Sequence, residues 1–283
     1  LIRGYGAPLG SSVALADGIP LVAIPAKLAF AKIQSQLQYL GAWLLVAHVL
    51  QAVAAWLLLR RLLADHVQRV LGTLLFLLMP AFCDRWGHVA LSAHGLLLLA
   101  FALYVAPSSR RLLRLWVLLV VGTALIHPYL AAMVLAIAGA WLVREVIVTR
   151  AMAWWRAAAV AGLCAGGLLV AWWISGMFVY GWGANELVDG YGLYSLNLNA
   201  LFNPAGRSRF LKPLPYLDGA QWEGFAYLGL GVLGTWLLAA CLLAARRGWW
   251  TSARRHWPLL VVVVGCLLFA LSNEVAWNDH TVV

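Results

Sequence analysis

The sequence predicts an all-α, polytopic transmembrane helical bundle, and three observations lead there. Of the 283 residues, 64% are hydrophobic and only 11% are charged, and the mean hydropathy is +0.86. A water-soluble globule has no core large enough to hide that share of apolar side chains. Apolar stretches recur at about 37–60, 67–83, 89–106, 112–126, 129–148, 157–180, 225–244 and 257–271, rich in Leu, Val and Ala and without strand-like alternation. Unsatisfied backbone amides are costly in lipid, so helices are the economical reading; a barrel would need short alternating strands. The expectation is about eight membrane helices, some short, with interfacial helices in the external loops.

Residues 1–283 read as a single transmembrane domain, and the opening Leu1 in place of Met makes it an expected internal fragment of a longer protein. The four cysteines, Cys83, Cys164, Cys241 and Cys266, lie in or at the ends of apolar segments at spacings suited to neither zinc nor disulfides, so they read as packing residues.

Residues 1–36 form a Gly/Pro-punctuated external loop ending in "VAIPAKLAFAKIQSQ", where Lys27 and Lys32 interrupt an apolar run as in a helix lying at the membrane interface. The first span, from "LQYLGAWLL", places Tyr39 and Trp43 as interfacial anchors, and His48 and Gln51, three apart on one face, must point at other helices. The segments 112–126 and 129–148 are joined only by "IHPYL". Pro128 presets the start of the second helix, so the pair forms a tight antiparallel hairpin. About fifteen residues cannot cross roughly 30 Å of hydrocarbon upright, which sets His127 in a recess below the surface. The second long external loop, 181–224, carries Asn197, Asn199 and Asn203, and its "LYSLNLNALF" reads as a short helix or re-entrant piece.

The net charge of +10 does not point to nucleic acid, because the basic residues come in short clusters between apolar segments. Arg60, Arg61 and Arg69; Arg110, Arg111 and Arg114; Arg144, Arg150 and Arg156; and Arg246, Arg247, Arg254 and Arg255 mark four cytoplasmic loops under the positive-inside rule. Alternation then places Asp17, Asp84, Glu186, Asp189, Asp218, Glu223, Glu274 and Asp279 outside, with His88, His127 and His280, leaving only Asp65 and Glu145 inside. The chemistry is therefore expected on the extracytoplasmic face.

Asp17 has two compatible readings: a helix cap before "GIPL", and a general base acting on an acceptor hydroxyl in a water-poor pocket. In "CDRWGHVALSAHG", residues 83–95, Asp84 and Arg85 could simply end a helix at the interface, but His94 lies within the next span, where an ionisable group faces a cavity or partner. Phosphate recognition is the preferred reading. Arg85 offers a planar fork to phosphate oxygens, and His88, His94 and His127 can donate to them. The His88 to His94 spacing matches no standard metal pattern, so no metal ligands are assigned, and a divalent cation is the one cofactor kept as an alternative. Glu223 has two readings, the start of a helix and a substrate contact. Arg207, Arg209 and Lys212 suit anionic headgroups or a diphosphate. "YLGLGVLG" is a helix-packing stretch rather than a dinucleotide fingerprint.

On "PLGSSVALADGIPLVAIPAK", "QYLGAWLLVAHVLQ", "RWGHVALSAHG", "IHPYLAAMVLA" and "SLNLNALFNPAG…FLKPLP…EGFAYLGLGVL", the chain resembles a family of bacterial multi-pass proteins placed with the GT-C glycosyltransferases. The resemblance implies a GT-C-like enzyme of the bacterial cytoplasmic membrane with an extracytoplasmic active face. It would move a sugar from a lipid-linked donor, a polyprenyl phosphate, to a glycan, lipid or protein acceptor, with membrane lipids as its surroundings. It also implies Asp17 as the acid of the first external loop; GT-C enzymes often pair two acids there, and here Asp17 stands alone. The rival class is a transporter or flippase of a lipid-linked or polar substrate. That function needs polar residues at all depths, whereas here they crowd the outer half, which favours an enzyme with one-sided access. An assembly scaffold without catalysis is a third reading.

Overall fold

The computed structural model describes residues 12–30, 38–179, 194–217, 221–245 and 248–282. The chain divides into two compact units, one of Leu1–Leu77 and Arg85–Gly183, the other of Leu78–Asp84 and Ala184–Val283. The first unit holds α1 (Pro20–Ala29), α2 (Leu40–Leu62), α3 (His66–Leu77), α4 (Gly95–Tyr104), α5 (Arg110–Ala124), α6 (Pro128–Val143, continued as a π-helix over Arg144–Val148) and α7 (Trp154–Ser175). The second holds α8 (Leu230–Ala245), α9 (Trp249–Leu271) and a two-stranded antiparallel hairpin, β1 (Ala276–Trp277) and β2 (His280–Thr281).

Each of the eight apolar stretches contains a helix, but among the described residues only four are long and apolar enough to cross a membrane: Leu40–Leu62, Pro128–Val148, Trp154–Ser175 and Trp249–Leu271. Two causes shorten α3 and α4. Pro80 disfavours helical backbone at Met79, which is extended, so the stretch 67–83 stops at Leu77 and resumes only as the single turn Pro80–Cys83. Residues 88–94 are apolar in composition yet turn rather than coil: the Ser92 amide donates to the His88 carbonyl, the His94 amide to the Ser92 carbonyl, and the Ser92 hydroxyl to the Val89 carbonyl. Helix α4 is thereby left with ten residues, about 15 Å at 1.5 Å per residue, half the thickness of a bilayer's hydrocarbon. Helix α5 begins with three arginines behind a Ser109 cap, whose hydroxyl accepts from the Leu112 amide at 3.1 Å.

The turn predicted at "IHPYL" forms between α5 and α6, and α3 gains a cap that the sequence reading does not assign. Asp65 caps α3, its carboxylate accepting from the Gln68 amide at 2.8 Å. Pro128 occupies the first turn of α6 with His127 as its N-cap. Helix α4 packs against α2 at backbone distance: a Cβ on Gly95 would lie 2.8 Å from the Leu50 carbonyl carbon and 2.9 Å from the Gln51 nitrogen. Gln51 is buried beside this crossing and donates to the Phe76 carbonyl at 3.1 Å, in line with its expected inward face. Trp43, expected as a lipid anchor, is instead 6% exposed and donates to the Val89 carbonyl at 3.0 Å, tying the 88–94 turn to α2.

The end of α6 also departs from the sequence reading. Arg144 and Glu145, assigned to a cytoplasmic loop and its surroundings, are both buried and joined by two hydrogen bonds, of 2.7 and 3.1 Å, from the guanidinium to one carboxylate oxygen. The Ser108 hydroxyl donates to the other oxygen, and the Arg144 guanidinium lies 4.3 Å from the Tyr104 ring centre. Polar groups therefore do not crowd one half of this unit alone. The pair is tolerated because each charge is matched, which is the condition for burying either of them.

In the second unit, residues 194–202 form turns rather than the short helix expected of "LYSLNLNALF". Their buried asparagines hold the loop to the C-terminal hairpin. Asn197 donates to the Asn278 carbonyl at 2.7 Å and to Gln221 at 2.9 Å, and Asn199 donates to the Asn278 side-chain oxygen at 2.8 Å. The Leu196 amide reaches the Ala270 carbonyl and the Leu198 amide the Ala276 carbonyl. Arg254 and Arg255 fall within α9 rather than in a loop. Arg246 and Arg247, like residues 1–11, 31–37 and 180–193, lie outside the described residues.

Gly95→Ala forces α4 away from the α2 backbone. We expect a loss of about 1–3 kcal/mol, as for overpacking in a tight core, read as a lowered melting temperature of the purified protein; unchanged melting would remove the close crossing from the fold.

Candidate functional site

The site is assembled in the first unit, where the start of α1, the 85–94 turn, the α5–α6 junction and the end of α7 meet. Asp17 sits in a turn between a short 3-10 helix, Val13–Leu15, and α1. That turn is held from three directions. The Ser12 hydroxyl donates to the Ser175 carbonyl at the end of α7 (3.1 Å), the Tyr39 hydroxyl donates to the Gly18 carbonyl, and the Leu21 amide donates to the Leu125 carbonyl at the end of α5 (2.7 Å). Beneath it lies an apolar cluster that includes Ile19, Trp43, Ala93, Ile126 and Leu130.

Two further constraints fix the backbone at Asp17. A Cβ on Gly18 would meet the Val13 side chain at 2.9 Å. Ile19 is left-handed, φ 44° and ψ 75°, although it is β-branched and precedes a proline. Such a conformation costs on the order of 1–3 kcal/mol and persists only where surrounding contacts impose it. Ile19, fully buried, has those contacts.

The cap reading of Asp17 does not hold. The N-cap of α1 is Ile19, and no side chain caps the helix; Leu125 takes one of its first amides instead. The Asp17 carboxylate faces His88, with 3.7 Å between Oδ2 and Nδ1. The two side chains are 32% and 41% exposed, so the contact is open to a ligand and contributes little stability by itself.

His127 lies within electrostatic reach of both. Its Nδ1 accepts from the Tyr129 amide at 3.2 Å, and its ring meets the Tyr129 ring edge-on at 5.1 Å. An acceptor Nδ1 leaves the ring proton on Nε2, so a neutral His127 keeps one donor available for other partners. Burial lowers its pKa, the Asp17 carboxylate opposes that shift, and the charge of His88 adds to it. The side chain is thus both a helix cap and an electrostatic neighbour of Asp17 and His88.

His94 is the N-cap residue of α4, makes no side-chain cap bond, and is half-buried. Burial, helped by the nearby charge of Arg85, lowers its pKa to about 4. Arg85 opens the single 3-10 turn Arg85–Gly87. Five of the residues singled out from sequence, Asp17, Arg85, His88, His94 and His127, therefore belong to the first unit. Among the described residues no group of three or more His, Cys, Asp or Glu is placed to hold a metal ion.

The remaining candidates belong to the second unit. Arg207 pairs with Asp84 and lies 4.4 Å from the Phe225 ring centre, which commits its guanidinium. Asp84, expected to end a helix, is the C-cap of the single turn Pro80–Cys83 and is held by this pair. Arg209 and Lys212 are exposed. Glu223 lies in the 3-10 turn Gln221–Gly224 and not at a helix start, since α8 begins only at Leu230; its side chain lies outside the described residues. Sequence reasoning missed the Tyr39 hydroxyl, which only the folded chain brings to Gly18, and the Arg144–Glu145 pair, for which an adjacent Arg-Glu inside an apolar run was the available signal.

Fold and site together define a helical membrane protein with an acid, two imidazoles and a nearby Arg–His pair at one end of its first unit. The chain belongs to the family DUF6311, a domain of unknown function, which it matches over residues 1–283. No curated protein and no solved structure matches it.

The lowered His94 pKa has a definite sign. Above about pH 6.5 the imidazole is neutral both folded and unfolded. Below that the unfolded chain takes up a proton that the folded chain refuses until about pH 4, so stability falls on acidification through this window. We expect His94→Gln to flatten that part of the curve by up to about 3 kcal/mol. Melting of both forms in nanodiscs from neutral pH to pH 4 checks it; parallel curves would contradict the assignment.

Proposed function

We propose that the chain is an integral-membrane glycosyltransferase of GT-C type, which moves a sugar from a polyprenyl phosphate donor to an extracytoplasmic acceptor. The observation that carries this reading is the Asp17 carboxylate, which makes no cap bond and faces His88 at 3.7 Å in a partly open turn. The sugar and the lipid-linked donor come from the family resemblance; the acid–base and anion-binding roles are supported by the side chains at the site.

In this mechanism the acceptor hydroxyl gives its proton to Asp17 as its oxygen bonds to the anomeric carbon. The bond from that carbon to the phosphate oxygen breaks, the polyprenyl phosphate departs with the electron pair, and configuration inverts. Arg85, His88, His94 and His127 meet the charge that grows on the leaving phosphate. A neutral His94 or His127 serves as a hydrogen-bond donor without adding a positive charge that would attract Asp17 away from the acceptor. Bacterial cytoplasmic membrane and an extracytoplasmic active face belong to the same proposal.

One observation favours the rival class, a transporter or flippase. The buried Arg144–Glu145 pair, with Tyr104 and Ser108, places polar groups at the far end of α4 and α6 from Asp17. A pathway would link the two ends, whereas an enzyme needs only one. Cysteine-accessibility labelling that reaches residues around both Asp17 and Glu145, each from its own side of the membrane, would support transport.

The transferase reading predicts that Asp17→Asn in membranes supplied with a lipid-linked sugar abolishes transfer, by a factor of about 100 or more for loss of a general base, while melting stays close to wild type. Full transfer by a folded Asp17→Asn protein removes Asp17 from the mechanism.

A further inference from the structure

The loop that closes on Asn203 presents an apolar tip between two cations, and nothing in the proposed chemistry uses it. Asn203 is 5% exposed and forms the neck. Its side-chain oxygen accepts from the Ala205 and Leu214 amides, both at 3.0 Å, and its nitrogen donates to the Leu214 carbonyl at 2.9 Å. Asn199 adds a bond to the Pro215 carbonyl at 2.7 Å. Within the tip, the Ser208 hydroxyl accepts from the Phe210 and Leu211 amides at 3.2 and 3.1 Å. Arg207 anchors one side through Asp84 and Phe225.

This construction holds Phe210 out, 84% exposed, with Leu211 beside it. Arg209 and Lys212 flank the pair, both exposed, and residues 194–217 contain no Asp or Glu. A loop cross-linked this thoroughly does not expose a phenylalanine through slackness. Leaving such a side chain in water forgoes about 1.5–3 kcal/mol of burial, so the arrangement makes physical sense where something apolar covers the tip and something anionic meets the flanking cations. A bilayer surface rich in anionic lipid supplies both, at about 1 kcal/mol per cation near the surface, and α9 of the same unit is long and apolar enough to cross that bilayer.

We infer that the 205–213 tip is a membrane-surface anchor that inserts Phe210 and Leu211 at the headgroup boundary of an anionic leaflet, with Arg209 and Lys212 bound to lipid phosphates. This inference does not rest on the transferase reading. The test uses the whole chain in nanodiscs of phosphatidylcholine, alone or mixed with phosphatidylglycerol, with hydroxyl-radical oxidation of Phe210 and Leu211 read by mass spectrometry. Oxidation is expected to fall several-fold when phosphatidylglycerol is present, and to recover in high salt or in an Arg209→Gln/Lys212→Gln variant. Equal oxidation in both lipid mixtures overturns the proposal, as does full protection of the double variant. The salt arm uses the unaltered protein, so the outcome does not depend on the variant's folding.

Discussion

The hydrogen bond from the Leu21 amide to the Leu125 carbonyl is the contact on which the rest of the site depends. Helix ends leave amides and carbonyls unpaired, and in an apolar setting neither can be left to water. Here the first turn of α1 and the last turn of α5 satisfy one another. That single exchange fixes α1 against the α5–α6 junction, and so brings the turn before α1 towards His127, the N-cap of α6. It also relieves Asp17 of capping duty. A carboxylate at the usual capping place would be spent on backbone amides; at this position it faces imidazoles instead.

The neighbours of that contact depend on it in turn. Tyr39 and Trp43, one turn apart on α2, each hold a carbonyl of a different loop, Gly18 and Val89. The spacing of His88 from Asp17 thus follows from the rigidity of one helical turn, with two long-range hydrogen bonds as its fingers. Ile19 is the residue that absorbs the misfit. Its left-handed backbone is imposed because its side chain is buried in the cluster below while Pro20 must begin a helix.

Much of this was legible in the sequence, and what was not has physical causes. Helices in every apolar stretch followed from composition, and the His127–Pro128 turn from proline's fixed φ and missing amide. Span lengths did not follow, because "VALSA" is as apolar in a turn as in a helix and only its hydrogen bonds distinguish the two. The grouping of Asp17 with His88 and His127 was accessible from the alternation of charged loops. The duties of Asn197 and Asn199 were not, since their partners lie about eighty residues away around Asn278. A count of polar residues also treats a matched ion pair as loop charge, whereas Arg144 and Glu145 are buried within the end of a helix.

The π-helical turn over Arg144–Val148 carries a consequence for how that pair is built. In an α-helix, adjacent side chains point about 100° apart and diverge. The wider π turn, with bonds from residue i to i+5, brings neighbouring side chains closer in azimuth, and here they converge enough to pair. The extra residue in the coil therefore decides which way two charges point. Removing one residue there would restore the α-helical winding and spread the two side chains apart again, so a deletion in this stretch is expected to unpair charges that the longer coil holds together.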